Sequence, residues 1–310
     1  MSVDKVVVRA PATSANMGPG FDSLGLAMEL RDEVTFERAA DGESRAITVD
    51  SDGTQVSLGI PTGRDNLAIR AFATAFRDAG QTAPPVRVRI FNRIPVARGL
   101  GSSAAAIVAG LMAADAFMGI ASDLQRLLNT AARIEGHPDN TAACILGGLT
   151  ASSFVGARVL WARVPAHGSL RAVVAVPDFP VSTRAARNVL PGSVPHSDAV
   201  FNVGRTALLV ASLASGNYVN LRYAFDDRLH QPYRSGLVPG MVNAMKAACD
   251  AGAIGSYMSG AGPSIMALIG GDEPAEPVAL AMREAFARAR VNAATMVLPM
   301  AESGALAEVI

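Results

Sequence analysis

The 310-residue chain is poor in several of the features that mark protein classes. It has two cysteines, Cys144 and Cys249, far apart and without Cys-x-x-Cys or Cys/His ligand spacing. That scarcity excludes a disulfide framework and a structural zinc site, and leaves buried thiols in a reducing compartment. It has no excess of either charge, since 27 Lys plus Arg face 27 Asp plus Glu. A basic field for nucleic acid and a polybasic anchor for an anionic membrane are both excluded. The most membrane-like stretch, Ala104 to Ala121, is rich in Ala and Gly and is broken by Asp115, so it reads as a buried helix. The start, "MSVDKVVVRA", puts charge before any apolar run and has no signal-peptide core, so a cytoplasmic protein that handles small molecules is expected.

What is present is a core-forming chain, half apolar and only 17% charged. At this length two domains are expected, residues 1–168 and 169–310. "KVVVRAP" reads as a β-branched strand ended by Pro11, with "EVTFERA" and "SRAITVD" as strands around the Asp41-Gly42 turn. "DNLAIRAFATAFRDAG" is an amphipathic helix with Asn66 at its start. "VRVRIFNRIP" alternates as a strand with one wet face. A helix follows from Ser102 to about Met118, then "SDLQRLLNTAARIEG" with Ser122 as N-cap and Gly136 as stop, the tight turn "HPDN" and the short helix "TAACIL". Beyond the strands "LTASSF" and "RVLWARVP", helices and strands alternate around a hairpin at "GSYMSGAGPSIMALI". This is an α+β pattern, not a doubly wound sheet.

Three glycine-rich stretches carry the chemistry. "PVARGLGSSAAA" gives a strand, a turn at Gly99 and Gly101, and a helix start, which read alone is either a packed helix with capping serines or a site where convergent N–H groups and the helix dipole can hold phosphate without a lysine. Ala104 to Ala106 leave room for a polyphosphate, and Ser102 or Ser103 can cap the helix, bind phosphate or ligate Mg²⁺. No Walker A lysine, third Rossmann glycine or G-x-S-x-G elbow is present. "PATSANMGPGFDSLGLA" reads as a loop that sets Thr13, Ser14, Asn16 and Asp22 among glycines, by itself an ordinary turn with Asx caps but also suited to a small polar ligand with an ammonium. "SGAGPS", Ser259 to Ser264, lets backbone approach a ligand or another strand.

In this order, and over nearly the whole chain, the three stretches resemble the motifs of the GHMP kinases. "EGHPDNTAA", "PVSTRAARNVLP" and "HQPYR" further resemble the homoserine-phosphorylating members of that family. The resemblance implies an N-terminal ribosomal-S5-like α+β domain that binds ATP and a C-terminal ferredoxin-like domain, with the active site between them. It implies transfer of phosphate from ATP to the hydroxyl of L-homoserine, in threonine biosynthesis, with Mg²⁺ and with room for a homodimer. Another small-molecule kinase of the same family, of mevalonate type, is the alternative.

For the nucleotide, the resemblance points to Asn66, Pro95, Arg98, Gly99, Leu100, Gly101, Ser102 and Ser103, with Ser103 and Glu135 on the metal. For the amino acid it points to Asn16, Asp22, His137, Asn140, Arg187 and Arg234, and for catalysis to Asn140, Thr183 and Arg187. Asp22 suits the α-ammonium and the arginine forks suit the α-carboxylate. Mevalonate kinases use an Asp base and a Lys where Asn140 and Thr13 stand here, which favours the homoserine branch and catalysis by positioning and electrostatics. Asp139 is the nearest carboxylate and the reserve candidate for a base.

Overall fold

The computed structural model describes residues 3–40, 44–49, 55, 59–166 and 170–310. The expected Asp41-Gly42 turn and the expected domain boundary at 168 lie outside the described residues.

The chain order begins β1 (Lys5–Ala15), β2 (Leu24–Arg38), β3 (Arg45–Val49), α1 (Leu67–Asp78), β4 (Val86–Phe91), α2 (Ser102–Met118), α3 (Leu124–Glu135), α4 (Asp139–Leu146), β5 (Leu149–Val155) and β6 (Arg158–Val164). It continues with β7 (Leu170–Pro177), α5 (Thr183–Asn188), α6 (His196–Ser215), α7 (Leu221–Ala224), α8 (Gln231–Arg234), α9 (Met241–Asp250), β8 (Gly255–Met258), β9 (Ile265–Gly270), α10 (Glu276–Arg288), β10 (Ala293–Pro299) and β11 (Leu306–Val309).

Two sheets organise these elements. The first runs β11-β1-β2-β4-β3, with β5 and then β6 added alongside β2, and the second is the four-stranded β10-β7-β9-β8. Helices and strands thus form the expected α+β arrangement. The last strand returns to the first sheet, where Val6 pairs with Val309. The fifteen-residue β2 is the hinge of the first sheet: Leu24–Leu26 pair with β5 and Glu33–Arg38 with β4, so the two neighbours part between them. That gap opens beside Asp32. β3 pairs not with β2 but in parallel with β4.

Local chemistry accounts for most element ends. The Asn66 side chain accepts from the backbone N–H of Ala68 and Ile69, capping α1 as expected. α2 begins at Ser102 without a side-chain cap, because the residue before it is left-handed Gly101. Asp123, rather than Ser122, caps α3 by accepting from Arg126 N, since a carboxylate is the stronger acceptor at the positive helix end. "HPDN" is half turn and half helix. Pro138 stands at the N-cap, so Asp139 and Asn140 already belong to the first turn of α4. Pro11 does not end β1; the register shifts after it, a bulge that absorbs its missing N–H, and Thr13 and Ser14 are strand residues. In α2, apolar all round, the one charge, Asp115, is buried and pairs with Arg126 of α3.

Candidate active site

A cleft of about 350 Å³ lies where the β1–β2 loop, the starts of α2 and α4, α5, α8 and the β8–β9 turn converge. That volume is within the range of small-molecule sites. The three glycine-rich stretches meet here through hydrogen bonds. Thr13 N donates to Leu100 O at 3.1 Å and Ser259 Oγ to Gly99 O at 2.6 Å. Ser14 Oγ bonds Ser259 Oγ at 2.8 Å. Gly99 and Gly101 have φ of +74° and +72°. A Cβ on Gly101 would fall 1.9 Å from Thr13 Oγ1, and one on Gly99 2.3 Å from Ser259 O, so both positions require glycine.

At the head of α2, Ser103 Oγ donates to Glu135 Oε2 at 2.6 Å, tying the phosphate-type loop to the last residue of α3. Burial raises the Glu135 pKa above the usual carboxylate range, partly offset by the Ser103 bond and by the charge of His137. Ser102 also faces the cleft, but it is Ser103 that meets the carboxylate. Of the three alanines expected to leave room for phosphate, only Ala106 lines the cleft; Ala104 and Ala105 are fully buried in helix packing. Pro95, Arg98 and Leu100 do not line it. The Arg98 guanidinium instead donates to the carbonyls of Pro177 and Asp178, a tether to the second sheet, and Leu100 is core. Asn66 lines the cleft with its side chain already engaged, its amide donating to Pro61 O while its oxygen caps α1.

The same cleft gathers the residues expected to hold the amino acid. Asn16 and Asp22 both sit in the left-handed region, at φ 69° and 53°. The Asn16 side chain closes their loop by accepting from Asp22 N at 3.0 Å and donating to Gly260 O at 3.0 Å. Arg187 makes a forked pair with the Asp22 carboxylate at 2.8 and 3.1 Å. Thr183, one turn earlier on α5, faces the same cleft. Asn140 Oδ1 accepts from Thr13 Oγ1 at 2.9 Å. His137 Nδ1–H donates to Asp139 Oδ1 at 2.7 Å, and that oxygen also takes Asn140 N at 2.6 Å. Burial alone would lower the His137 pKa, but the bond to Asp139 and the charges of Asp139, Glu135 and Asp22 outweigh it and raise it.

Arg234 is 2% exposed. Its Nε donates to Ala186 O, and its NH1 to Gly260 O at 3.0 Å and to His230 Nδ1 at 3.1 Å. Because His230 Nε2–H donates to Gly18 O at 2.7 Å, the imidazole is held neutral, and burial lowers its pKa. Burial and the neighbouring Arg187 lower the Arg234 pKa to about 10, so it stays charged near neutrality. Among the described residues it has no carboxylate partner.

Sequence reading did not single out Ser259, His230, Asp32 or Asn92. Ser259 sat within a recognised motif, and His230 within "HQPYR". Asp32, in "ELRDEV", carries no local signal of a role, and it reaches the cleft wall where β5 and β4 part along β2.

Residues 66–148 match the GHMP kinases N terminal domain and residues 208–288 the GHMP kinases C terminal family. The chain is 43% identical over 300 residues to the homoserine kinase of Moorella thermoacetica, covering 97% of this chain and 99% of that one. It is 43% identical to that of Synechococcus sp., covering 97% of each. The homoserine kinase structure from Cytophaga hutchinsonii superimposes with a TM-score of 0.87 at 30% identity, covering 98% of both chains. The L. major mevalonate kinase, at 13% identity and a TM-score of 0.70, shares the fold, covering 98% of this chain and 100% of that one.

Proposed function

Since the chain belongs to the GHMP kinase family, alongside its homoserine kinases, we propose that its cleft transfers the γ-phosphate of ATP to the side-chain hydroxyl of L-homoserine, giving O-phospho-L-homoserine. The observation that carries the choice of acceptor is Arg234. A guanidinium 2% exposed, hydrogen-bonded to two carbonyls and a neutral imidazole and without an ion-pair partner among the described residues, is a buried cation that a ligand carboxylate would complete. Beside it, Asp22 and Arg187 form an ion pair half open to solvent, able to exchange its internal partners for an α-ammonium and an α-carboxylate.

The Gly99–Ser103 loop, open at the N-terminus of α2, supplies N–H groups and dipole for the phosphates. Ser103 and Glu135, a hydroxyl and a buried carboxylate 2.6 Å apart, form an oxygen donor set that fits a hard divalent cation, and they are the residues that would hold Mg²⁺. Bound there, Mg²⁺ supplies charge neutralisation of the phosphate oxygens. Asn140 cannot serve as a base, and its oxygen is occupied by Thr13, so its amide N–H is left to orient the acceptor hydroxyl. The hydroxyl oxygen attacks the γ-phosphorus in line as the bond from that phosphorus to the β–γ bridging oxygen breaks and ADP leaves, and the hydroxyl proton passes to an oxygen of the transferred phosphoryl group. Arg187 and Thr183, on one face of α5, border the space of the transferring group.

An acceptor panel tests the reading. L-homoserine should be phosphorylated well, and L-homoserine amide, which lacks the carboxylate charge, should show a KM raised on the order of 100-fold. Equal use of the two would contradict the role given to Arg234.

A further inference from the structure

Asp32 lies on the cleft wall and no step of the phosphoryl transfer uses it. It stands where β2 has lost β5 and not yet gained β4. Its Oδ1 accepts two backbone N–H groups, from Arg93 at 2.7 Å and Ile94 at 2.8 Å, which fixes the carboxylate plane. Oδ2 accepts no hydrogen bond among the described residues. The residue is 4% exposed. The lining of the cleft that Asp32 shares includes the apolar Ile60, Pro61, Leu67, Ile90 and Val96 and the polar Asn92. The Arg93 guanidinium donates to Arg31 O and stacks over Phe91, and its charge only partly offsets the burial of the Asp32 carboxylate. Nor does Asp32 belong to a group of metal-ligating side chains among the described residues.

A carboxylate is a costly way to cap two N–H groups, since a neutral Asn or Ser oxygen serves as well. Its free oxygen therefore calls for a donor from a ligand, and an apolar slot of this kind admits a flat heteroaromatic ring. We propose that Asp32 Oδ2 accepts the exocyclic amino group of the adenine ring and so sets the preference for ATP over nucleotides without a donor at that position. This rests on the proposed kinase reading, with the phosphates at Gly99–Ser103 and the base against apolar lining of the same cleft, which includes Leu67 and Ile90. Burial pushes the Asp32 pKa up to about 6 despite the two N–H bonds, as expected of a carboxylate that waits for a partner.

The test is equilibrium binding of ATP, purine riboside 5′-triphosphate and GTP to the whole protein and to its Asp32→Asn variant, which retains Oδ1 for Arg93 and Ile94. The natural protein should prefer ATP over the purine nucleotide by on the order of 10- to 100-fold, the worth of a charge-assisted hydrogen bond. In Asp32→Asn the ratio should fall to within about 3-fold of unity, and GTP, whose ring carries an acceptor in place of the amino group, should gain relative to ATP. Each ratio is taken within one preparation, so a partly unfolded variant does not distort it; Asp32→Ser gives a second reading. A natural protein that binds ATP and the purine nucleotide equally, or a variant that keeps the natural ratio, overturns the proposal. Failure to phosphorylate homoserine with the ratios intact would instead sink the acceptor reading alone, and a protein that binds none of the three nucleotides overturns both.

Discussion

The Arg187 guanidinium reaches from α5 across to the β1–β2 loop and makes a two-point pair with Asp22, at 2.8 and 3.1 Å. Two groups expected to grip opposite ends of an amino acid thus grip each other in the protein alone. A zwitterion can replace this pair contact for contact, so binding substrate does not strand either charge.

That exchange has a measurable asymmetry. The two side chains are 37% and 34% exposed, and an exposed pair contributes under about 1 kcal/mol to folding. Arg187→Ala and Asp22→Asn should each shift thermal stability little while raising the homoserine KM roughly 10- to 100-fold. The double variant should be less impaired than the product of the two single effects, because both serve one ligand. Thermal melts with steady-state kinetics on the four proteins check this.

The Ser103–Glu135 contact predicts metal dependence. Glu135→Gln removes the charge but leaves the shape, so half-maximal rate should require on the order of 10-fold more Mg²⁺. The ATP saturation curve, taken at saturating metal, should move less. Titration of Mg²⁺ at fixed nucleotide makes the comparison, and an unchanged requirement in the variant would remove Glu135 from the metal site.

Gly101 and Gly80 give a matched pair. Both have positive φ, +72° and +70°, but a Cβ on Gly80 meets nothing within 4 Å whereas on Gly101 it runs into Thr13. Gly80→Ala should cost about 1 kcal/mol from backbone strain alone. Gly101→Ala should cost more and also lower kcat, because a displaced Thr13 no longer orients Asn140. Denaturant melts and kcat values for the two variants separate strain from the active-site effect.

Asp32 predicts a pH dependence with a definite sign. Its pKa is about 6 in the folded protein against 3.8 unfolded, so between those values the native state holds a proton that the unfolded chain has released. Stability through this group is full below pH 4 and is lost as pH rises to 6, by about 3 kcal/mol in total. Asp32→Asn, which has no such titration, should therefore gain stability relative to the natural protein on going from pH 4 to pH 7. Denaturant melts at the two pH values test it; a constant difference would contradict the burial argument.

Much of this was readable in the sequence, for identifiable reasons. The helix at Leu67–Asp78, the alternating strand at Val86–Phe91 and the hairpin around "SGAGPS" rest on local periodicity and turn chemistry, which survive folding. The three motifs marked the site because glycine is compulsory where backbones nearly touch, as at Gly99 and Gly101. What escaped depends on non-local geometry. The parting of β4 and β5 that exposes Asp32, the return of β11 to β1 and the burial of Ala104 and Ala105 are set by packing partners far off in sequence. Arg98 shows the same dependence: the resemblance points to it for the nucleotide, while its guanidinium donates to the carbonyl of Pro177 at the end of β7 and to that of Asp178 just after it.

The central claim is that this cleft phosphorylates the hydroxyl of homoserine. Incubating the protein with ATP, Mg²⁺ and L-homoserine and following phosphorus by NMR tests it most directly. A new phosphomonoester signal, coupled to the C4 methylene protons and growing in step with ADP, is the predicted result. ADP formed without that signal, or a phosphoester formed on mevalonate but not on homoserine, would contradict it.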